Sequence, residues 1–255
     1  MEKSYYPEQY WSEVAKRIKS RTGKNVIAGD DEPFYRYKRK QFLKMLSTID
    51  FEHKKVLEIG SGPGGNLEYV HQFNPQKLVG VDISSEMVAL ASQNLATKNI
   101  KIHKINGTSL PFESNTFDIV FTATVLQHNT DEAMLKQLFA EIARVSAKHI
   151  FLFEKVDASI KGDELCLARP VNYYATLAKN HGFEWVETQF INIYVSYLFS
   201  GVIRKFLNSK NRKEGEPLSS FSILLQNILL PFTQFLDPMF KVKKDVAKLA
   251  FVKKV

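Results

Sequence analysis

The sequence predicts a doubly wound, mostly parallel α/β sheet of seven strands, with helices ahead of the first strand and a helical insertion before the last. Three observations carry this expectation. From Lys55 onward, short β-rich runs alternate with amphipathic helical runs, a rhythm that implies parallel pairing through right-handed crossovers. The first strand, Lys-Val-Leu-Glu-Ile, stops at a turn with four glycines in six residues, Gly60-Ser-Gly-Pro-Gly-Gly65. Backbone N–H groups in such a turn can approach a ligand without interference from Cβ atoms. Beyond residue 190 the rhythm breaks: residues 195–240 are long and apolar, and only then does a closing strand follow.

Each element follows from its local pattern. Apolar residues at helical spacing run through 7–22 (Tyr10, Trp11, Val14, Ile18) and again through 33–49 (Phe34, Tyr37, Phe42, Leu43, Leu46). Between them, residues 23–33 read as a loop, with turn residues at both ends. Strands are predicted at 55–59, 77–81, 100–104, 118–122, 150–154, 184–190 and 248–255, and helices at 66–72, 85–96, 131–145 and 171–179. Inside the late apolar segment, a polar break at 208–217 divides the helical run.

At 255 residues, 44% hydrophobic and 24% charged, the chain has ordinary globular composition and can form one large domain with appended elements. Its single cysteine, Cys166, excludes a disulfide framework and a multi-cysteine metal site, and no metal is expected. The opening Met-Glu-Lys-Ser-Tyr-Tyr-Pro lacks a basic segment followed by an apolar one, and the apolar stretches fall short of a bilayer span. The expectation is a cytoplasmic protein. The net charge of +8 is unevenly spread, because residues 201–255 hold 11 lysines and arginines against 4 acids. A basic, apolar-rich tail can dock an anionic partner. It can equally be a solvated lysine face.

Gly60, Gly62 and Gly65 alone satisfy G-x-G-x-x-G, a pattern shared with nicotinamide-binding proteins. Asp82 ends the second strand 20 residues beyond Gly62 and can accept both hydroxyls of a ribose in either cofactor class. Glu58, two residues before the first glycine, suits the amino-acid end of a ligand better than a pyrophosphate. Two further blocks follow, Ile105-Asn-Gly-Thr-Ser-Leu-Pro-Phe and Phe117-Asp-Ile-Val-Phe-Thr-Ala-Thr-Val-Leu-Gln-His. With them, residues 50–190 resemble the class I S-adenosylmethionine-dependent methyltransferases, in particular the small-molecule branch. Glu58-Ile-Gly60-Ser-Gly62-Pro-Gly64 matches that family's Glu-x-Gly-x-Gly-x-Gly, and Val81-Asp82-Ile83-Ser84 its second motif.

The resemblance implies a Rossmann-like methyltransferase fold with S-adenosyl-L-methionine as cofactor. It divides the chain into an N-terminal helical lid (1–50), a cofactor-binding core (51–192), and an apolar, basic helical insertion with the closing strand (193–255). Glu58, Gly60, Ser61, Gly62 and Gly64 would hold the methionyl portion and Asp82 the ribose, with Ile83 and Met87 covering the adenine faces. The family's usual Asp four residues before Leu110 is Asn106 here, whose amide oxygen can accept from the adenine amino group without charge assistance. Gly107 and Thr108 would offer backbone contacts to the ring. Thr122 would border the cofactor, and Arg36 or Tyr37 in the lid would reach the methionyl carboxylate.

A sulfonium is already a strong methyl donor, so the protein mainly holds the nucleophile in line and excludes water. An oxygen nucleophile also gains from a base. His128, just past the fourth strand, and Glu154, ending the fifth, are the candidates, weighed against a packing role for the histidine and a solvated strand end for the glutamate. The late insertion (Phe199, Ile203, Phe206, Leu225, Ile228, Phe232) can wall the acceptor side, bury itself in a homo-oligomer interface, or extend the core. The reading is methyl transfer to a small or lipid-linked (or glycan) metabolite, at oxygen, with contact to an anionic membrane through residues 198–255. RNA methylation is the enzymatic alternative, weakened because the Asn-Pro-Pro-aromatic signature and an RNA-binding appendage are missing, so nucleic acid is not expected as a partner. A non-catalytic cofactor-binding module and a nicotinamide oxidoreductase are the remaining alternatives.

Overall fold

The computed structural model describes residues 6–21, 28 and 32–254. Most of the loop expected at 23–33, including Asp30 and Asp31, lies outside the described residues. In chain order the elements are α1 (Pro7–Lys19), α2 (Pro33–Leu46), β1 (Lys55–Ile59), α3 (Gly65–His71), β2 (Lys77–Asp82), α4 (Ser85–Asn94), β3 (Ile100–Lys104) and β4 (Phe117–Ala123). They continue with α5 (Glu132–Val145), β5 (Ser146–Val156), β6 (Lys161–Gly162), β7 (Leu167–Ala168), α6 (Val171–Asn180), β8 (Phe183–Phe190), α7 (Tyr194–Leu207), α8 (Ser220–Leu236) and β9 (Asp245–Lys253).

Seven strands form one sheet in the order β3-β2-β1-β4-β5-β9-β8. β9 runs antiparallel to both of its neighbours, and the pairings from β3 to β5 are parallel. The expected mostly parallel, doubly wound architecture is therefore present. β6 and β7 form a separate hairpin that the sequence does not announce, since two residues per strand are too few to show a period.

Alternation along the strands explains why both faces are covered. In β1, Leu57 and Ile59 join the core made with α5 and α6, whereas Val56 joins the one made with α2, α3 and α8. Glu58 shares the parity of Val56 and is completely buried. Ser84 caps α4 by accepting from Met87 N, and Asp131 caps α5 by accepting from Ala133 N and Met134 N, each cap contributing about 1 kcal/mol.

The first two helices and the late insertion meet each other. Tyr37 Oη donates to Asp237 Oδ2 (2.9 Å), Phe34 N to Gln226 Oε1 (3.2 Å), and Arg17 Nε to Glu214 O (2.6 Å). Lys38 pairs with Asp245 at 2.7 Å and Arg204 with Glu32 at 3.0 Å. Two segments far apart in sequence thus form one cap beside the carboxyl ends of the parallel strands.

Candidate functional site

Because β1, β2, β3, β4 and β5 run in one direction, their carboxyl ends bring the glycine turn, Asp82, Gly107, Thr124 and Lys155 to one edge of the sheet. Gly60 has φ +67°, and a Cβ there would lie 2.3 Å from Val125 Cγ2, so only glycine lets the loop after β4 close on the turn. Gly62, at φ +51°, donates its N–H to Asp82 Oδ2 (2.9 Å), while Ser84 N donates to Oδ1 (2.9 Å). Those bonds fix the carboxylate and leave further lone pairs for a ligand. Burial raises the pKa of Asp82 against the opposing pull of the backbone donors.

Glu58 lies under the turn. Arg39 Nη1 donates to Asn66 Oδ1 (2.9 Å), and Asn66 Nδ2 donates to Glu58 Oε1 (2.8 Å). Burial pushes the carboxyl of Glu58 up to about 8, against the pull of Asn66 and Arg39. Its Oε2, and the Oγ of Ser61 beside it in the chain, are buried with no hydrogen-bond partner among the described residues. A buried carboxyl oxygen and a hydroxyl left unsatisfied beside a glycine turn suit the ammonium and carboxylate of an amino acid.

Two cavities meet here. The smaller, about 120 Å³, is lined by Asp82, Ile83, Met87, Ile105, Gly107 and Val125, among others. The larger, about 1060 Å³, extends under the helical cap and includes Ser61, Arg39, Asn66 and Lys155. Trp11, Gly60, Gly62, Thr124 and His128 line both. A nucleoside in the first and an acceptor in the second would therefore face each other across His128.

Backbone contacts set the tautomer of His128. Lys155 N donates to Gln127 Oε1 (2.9 Å), which turns the Gln127 amide N–H toward His128 Nε2 (3.2 Å). Nε2 then accepts, and Nδ1–H donates to Leu165 O (2.8 Å). Burial lowers the pKa of His128, so the ring is neutral near pH 7. Trp11 packs edge-on against it, with centroids 5.0 Å apart.

Several expected site residues lie elsewhere. Glu154 is neither a solvated strand end nor at either cavity; it is fully buried and accepts from Thr122 Oγ1 (2.7 Å), Val125 N (3.1 Å) and Gln127 N (3.0 Å). It anchors the loop that carries His128. Thr122 is committed to that carboxylate and lines neither cavity. Asn106 is exposed, and its Oδ1 accepts from the N–H groups of Thr108 and Ser109 at 3.0 and 2.9 Å, which uses up the oxygen expected for adenine. Of that pair, Gly107 lines the smaller cavity and Thr108 does not. Glu58, beneath the turn, lines neither cavity, nor do Arg36 and Tyr37, and Gly64 packs toward Leu95, just past α4.

The structure instead brings in Trp11, Arg39 and Thr124, none of which the sequence singled out as a site residue. Thr124 has φ +57°, an outlying conformation for a β-branched residue, at the junction of the cavities. The helical period did hold a signal for α2: Tyr35, Lys38, Arg39 and Phe42 share one face and line the larger cavity, and Tyr37 falls off that face.

Comparison with known proteins agrees with this geometry. Residues 56–149 match the family profile of the methyltransferase domain. The chain is 33% identical over 87 residues to a phosphoethanolamine N-methyltransferase of Plasmodium falciparum, covering 33% of each chain. It is 26% identical over 96 residues to a fatty-acid O-methyltransferase of Mycolicibacterium smegmatis, covering 37% of this chain and 35% of that one. The match therefore spans about a third of these curated relatives. Among solved structures, the [4+2]-cyclase SpnF superposes with a TM-score of 0.66 at 15% identity, covering 98% of this chain and 96% of that one, a likeness of fold alone. Residues 56–149 thus form a methyltransferase domain of the S-adenosylmethionine-dependent class, with S-adenosylmethionine as its cofactor. The unsatisfied Glu58 and Ser61 atoms and the partly free Asp82 carboxylate fit it.

Proposed function

We propose that the protein transfers a methyl group from S-adenosylmethionine to a small or lipid-linked metabolite, at oxygen. The observation that carries this is the pair of cavities joined at Gly60, Gly62, Thr124 and His128, one beside the ribose-type carboxylate and one under the cap. Asp82 would hold the ribose, Ile83 and Met87 the adenine, and Glu58, Ser61 and Arg39 the amino-acid end. When bound, the cofactor supplies a sulfonium-activated methyl group. The chain excludes water with Trp11 and the helical cap, and orients the acceptor against His128. There Nε2 would exchange the Gln127 N–H for the acceptor hydroxyl and take up its proton.

The outer faces of α7 and α8 support a lipid-linked acceptor. Phe206 is 75% and Phe235 79% exposed, with Val202, Leu224 and Phe232 also exposed and Lys205, Lys210 and Lys213 close by in the chain. Apolar side chains flanked by cations suit the interface of an anionic membrane. No described helix is long and apolar enough to cross one.

One experiment covers both statements. A cell extract is incubated with the protein and methyl-labelled cofactor, then separated into lipid, RNA and soluble fractions. Label is expected in the lipid or soluble small-molecule fraction, and lipid labelling should fall about tenfold in Phe206→Asp/Phe235→Asp. Label confined to RNA, or none above a protein-free control, would contradict the proposal.

A further inference from the structure

We infer that the acceptor carries an oxyanion, a phosphate or a carboxylate, seated in the larger cavity between Lys155 and Lys244. This deepens the proposed function, since it rests on the larger cavity being the acceptor site. The cavity is lined by eight lysine and arginine side chains against three aspartates and glutamates. Much of the balance is already used internally. Lys38 is paired with Asp245 (2.7 Å), Lys161 with Asp157 (2.9 Å) and Arg204 with Glu32 (3.0 Å), while Glu214 accepts from Tyr10 Oη (2.6 Å).

Lys155 and Lys244 remain without a carboxylate within 4.0 Å among the described residues. β5 and β9 are antiparallel and their pairing ends at Val156 opposite Asp245, so Lys155 and Lys244, the residue just before β9, both stand at that end of the pair and line the larger cavity. Asp157, paired with Lys161, also feels the charge of Lys244, yet the cavity keeps an excess of cations that an oxyanion would neutralise. Lys244 Nζ rests 4.7 Å from the centroid of the Tyr194 ring, and both Tyr194 and Tyr197 line the same wall. Tyrosine hydroxyls can add neutral donors to an oxyanion held by two ammonium groups. A cleft lined by an excess of one charge and walled by low-dielectric side chains also concentrates the opposite ion.

Lys155 ties this pocket to the transfer site. Its backbone N–H holds the Gln127 amide, which in turn touches His128 Nε2. An acceptor whose anionic group sits at Lys155 would have its methyl-accepting atom within reach of His128, at the mouth of the smaller cavity. The charge orients the acceptor and sets which molecules are chosen, while the apolar wall of the cap accommodates the rest of it.

The test uses the full chain saturated with S-adenosylhomocysteine and titrated by calorimetry with inorganic phosphate in one arm and acetate in the other. Lys155→Met and Lys244→Met are compared with Lys101→Met, an exposed lysine on β3 outside both cavities. Saturable binding of at least one anion is expected, weakened about tenfold by Lys155→Met and by Lys244→Met and unchanged in Lys101→Met, and the arm that binds more tightly identifies the oxyanion. No saturable binding of either anion by the wild-type chain, or equal binding by all three variants, would overturn the inference. Cofactor affinity measured in the same proteins separates the two failures. Retained cofactor binding with no anion binding refutes only the oxyanion, whereas loss of cofactor binding in the wild-type chain refutes the methyl-transfer reading itself.

Discussion

Replacing Asp82 with asparagine is expected to weaken S-adenosylhomocysteine binding by roughly 30- to 1000-fold, or about 2–4 kcal/mol. The carboxylate already accepts from Gly62 N and Ser84 N, one on each oxygen. An asparagine keeps only one acceptor oxygen and turns an NH₂ group toward the other backbone donor. Two ribose hydroxyls would then lose charge-assisted partners, each worth about 1.5–3 kcal/mol. The glycine turn would also lose one of the bonds that holds its shape. Calorimetry on the variant, with circular dichroism to confirm the fold, checks this. Affinity within threefold of wild type would show that the nucleoside does not use Asp82.

The second large effect concerns Glu58 and has opposite signs for stability and binding. In the unfolded chain its carboxyl ionises near 4.5, and in the fold burial pushes it up to about 8. Between those values the folded state holds a proton that the unfolded state has released, so this group's contribution to stability falls as pH rises through that window. Asp82 and Glu154, both raised by burial, act in the same direction and are present in wild type and variant alike. Glu58→Gln removes one titration, so the variant should be more stable than wild type near pH 7.5, by on the order of 3 kcal/mol. Its melting temperature should also depend less on pH between 5 and 8. Binding runs the other way. A ligand ammonium favours the ionised carboxyl, so wild-type affinity for S-adenosylhomocysteine should climb between pH 6 and 7.5, and the variant should bind more weakly without that climb. Parallel pH profiles would contradict a role for Glu58 at the amino-acid end.

The features legible in the sequence are those set by local chemistry. A strand that stops at glycines with positive φ, and an acid at the end of the next strand, declare themselves because no other residues satisfy the backbone there. The succession of short β-rich runs and helical runs likewise marked all seven strands of the main sheet. Glu154 was misplaced because its position at a strand end says nothing about the loop after β4, which folds back and saturates the carboxylate with three donors. Asn106 was misread for a related reason: its side chain can bond its own loop, and does so through Thr108 and Ser109. Trp11 and Lys155 depend on the cap formed by segments some two hundred residues apart, as in the bond from Tyr10 to Glu214. Contacts of that range leave no trace in a local pattern.

Adenosine is expected to bind across the ends of β1 and β2, with its sugar on Asp82. Calorimetric titration of the wild-type chain with S-adenosylhomocysteine, alongside NAD, tests it most directly. Saturable heat from one site per chain is expected with S-adenosylhomocysteine and none with NAD. Heat with NAD alone, or with neither, would contradict it.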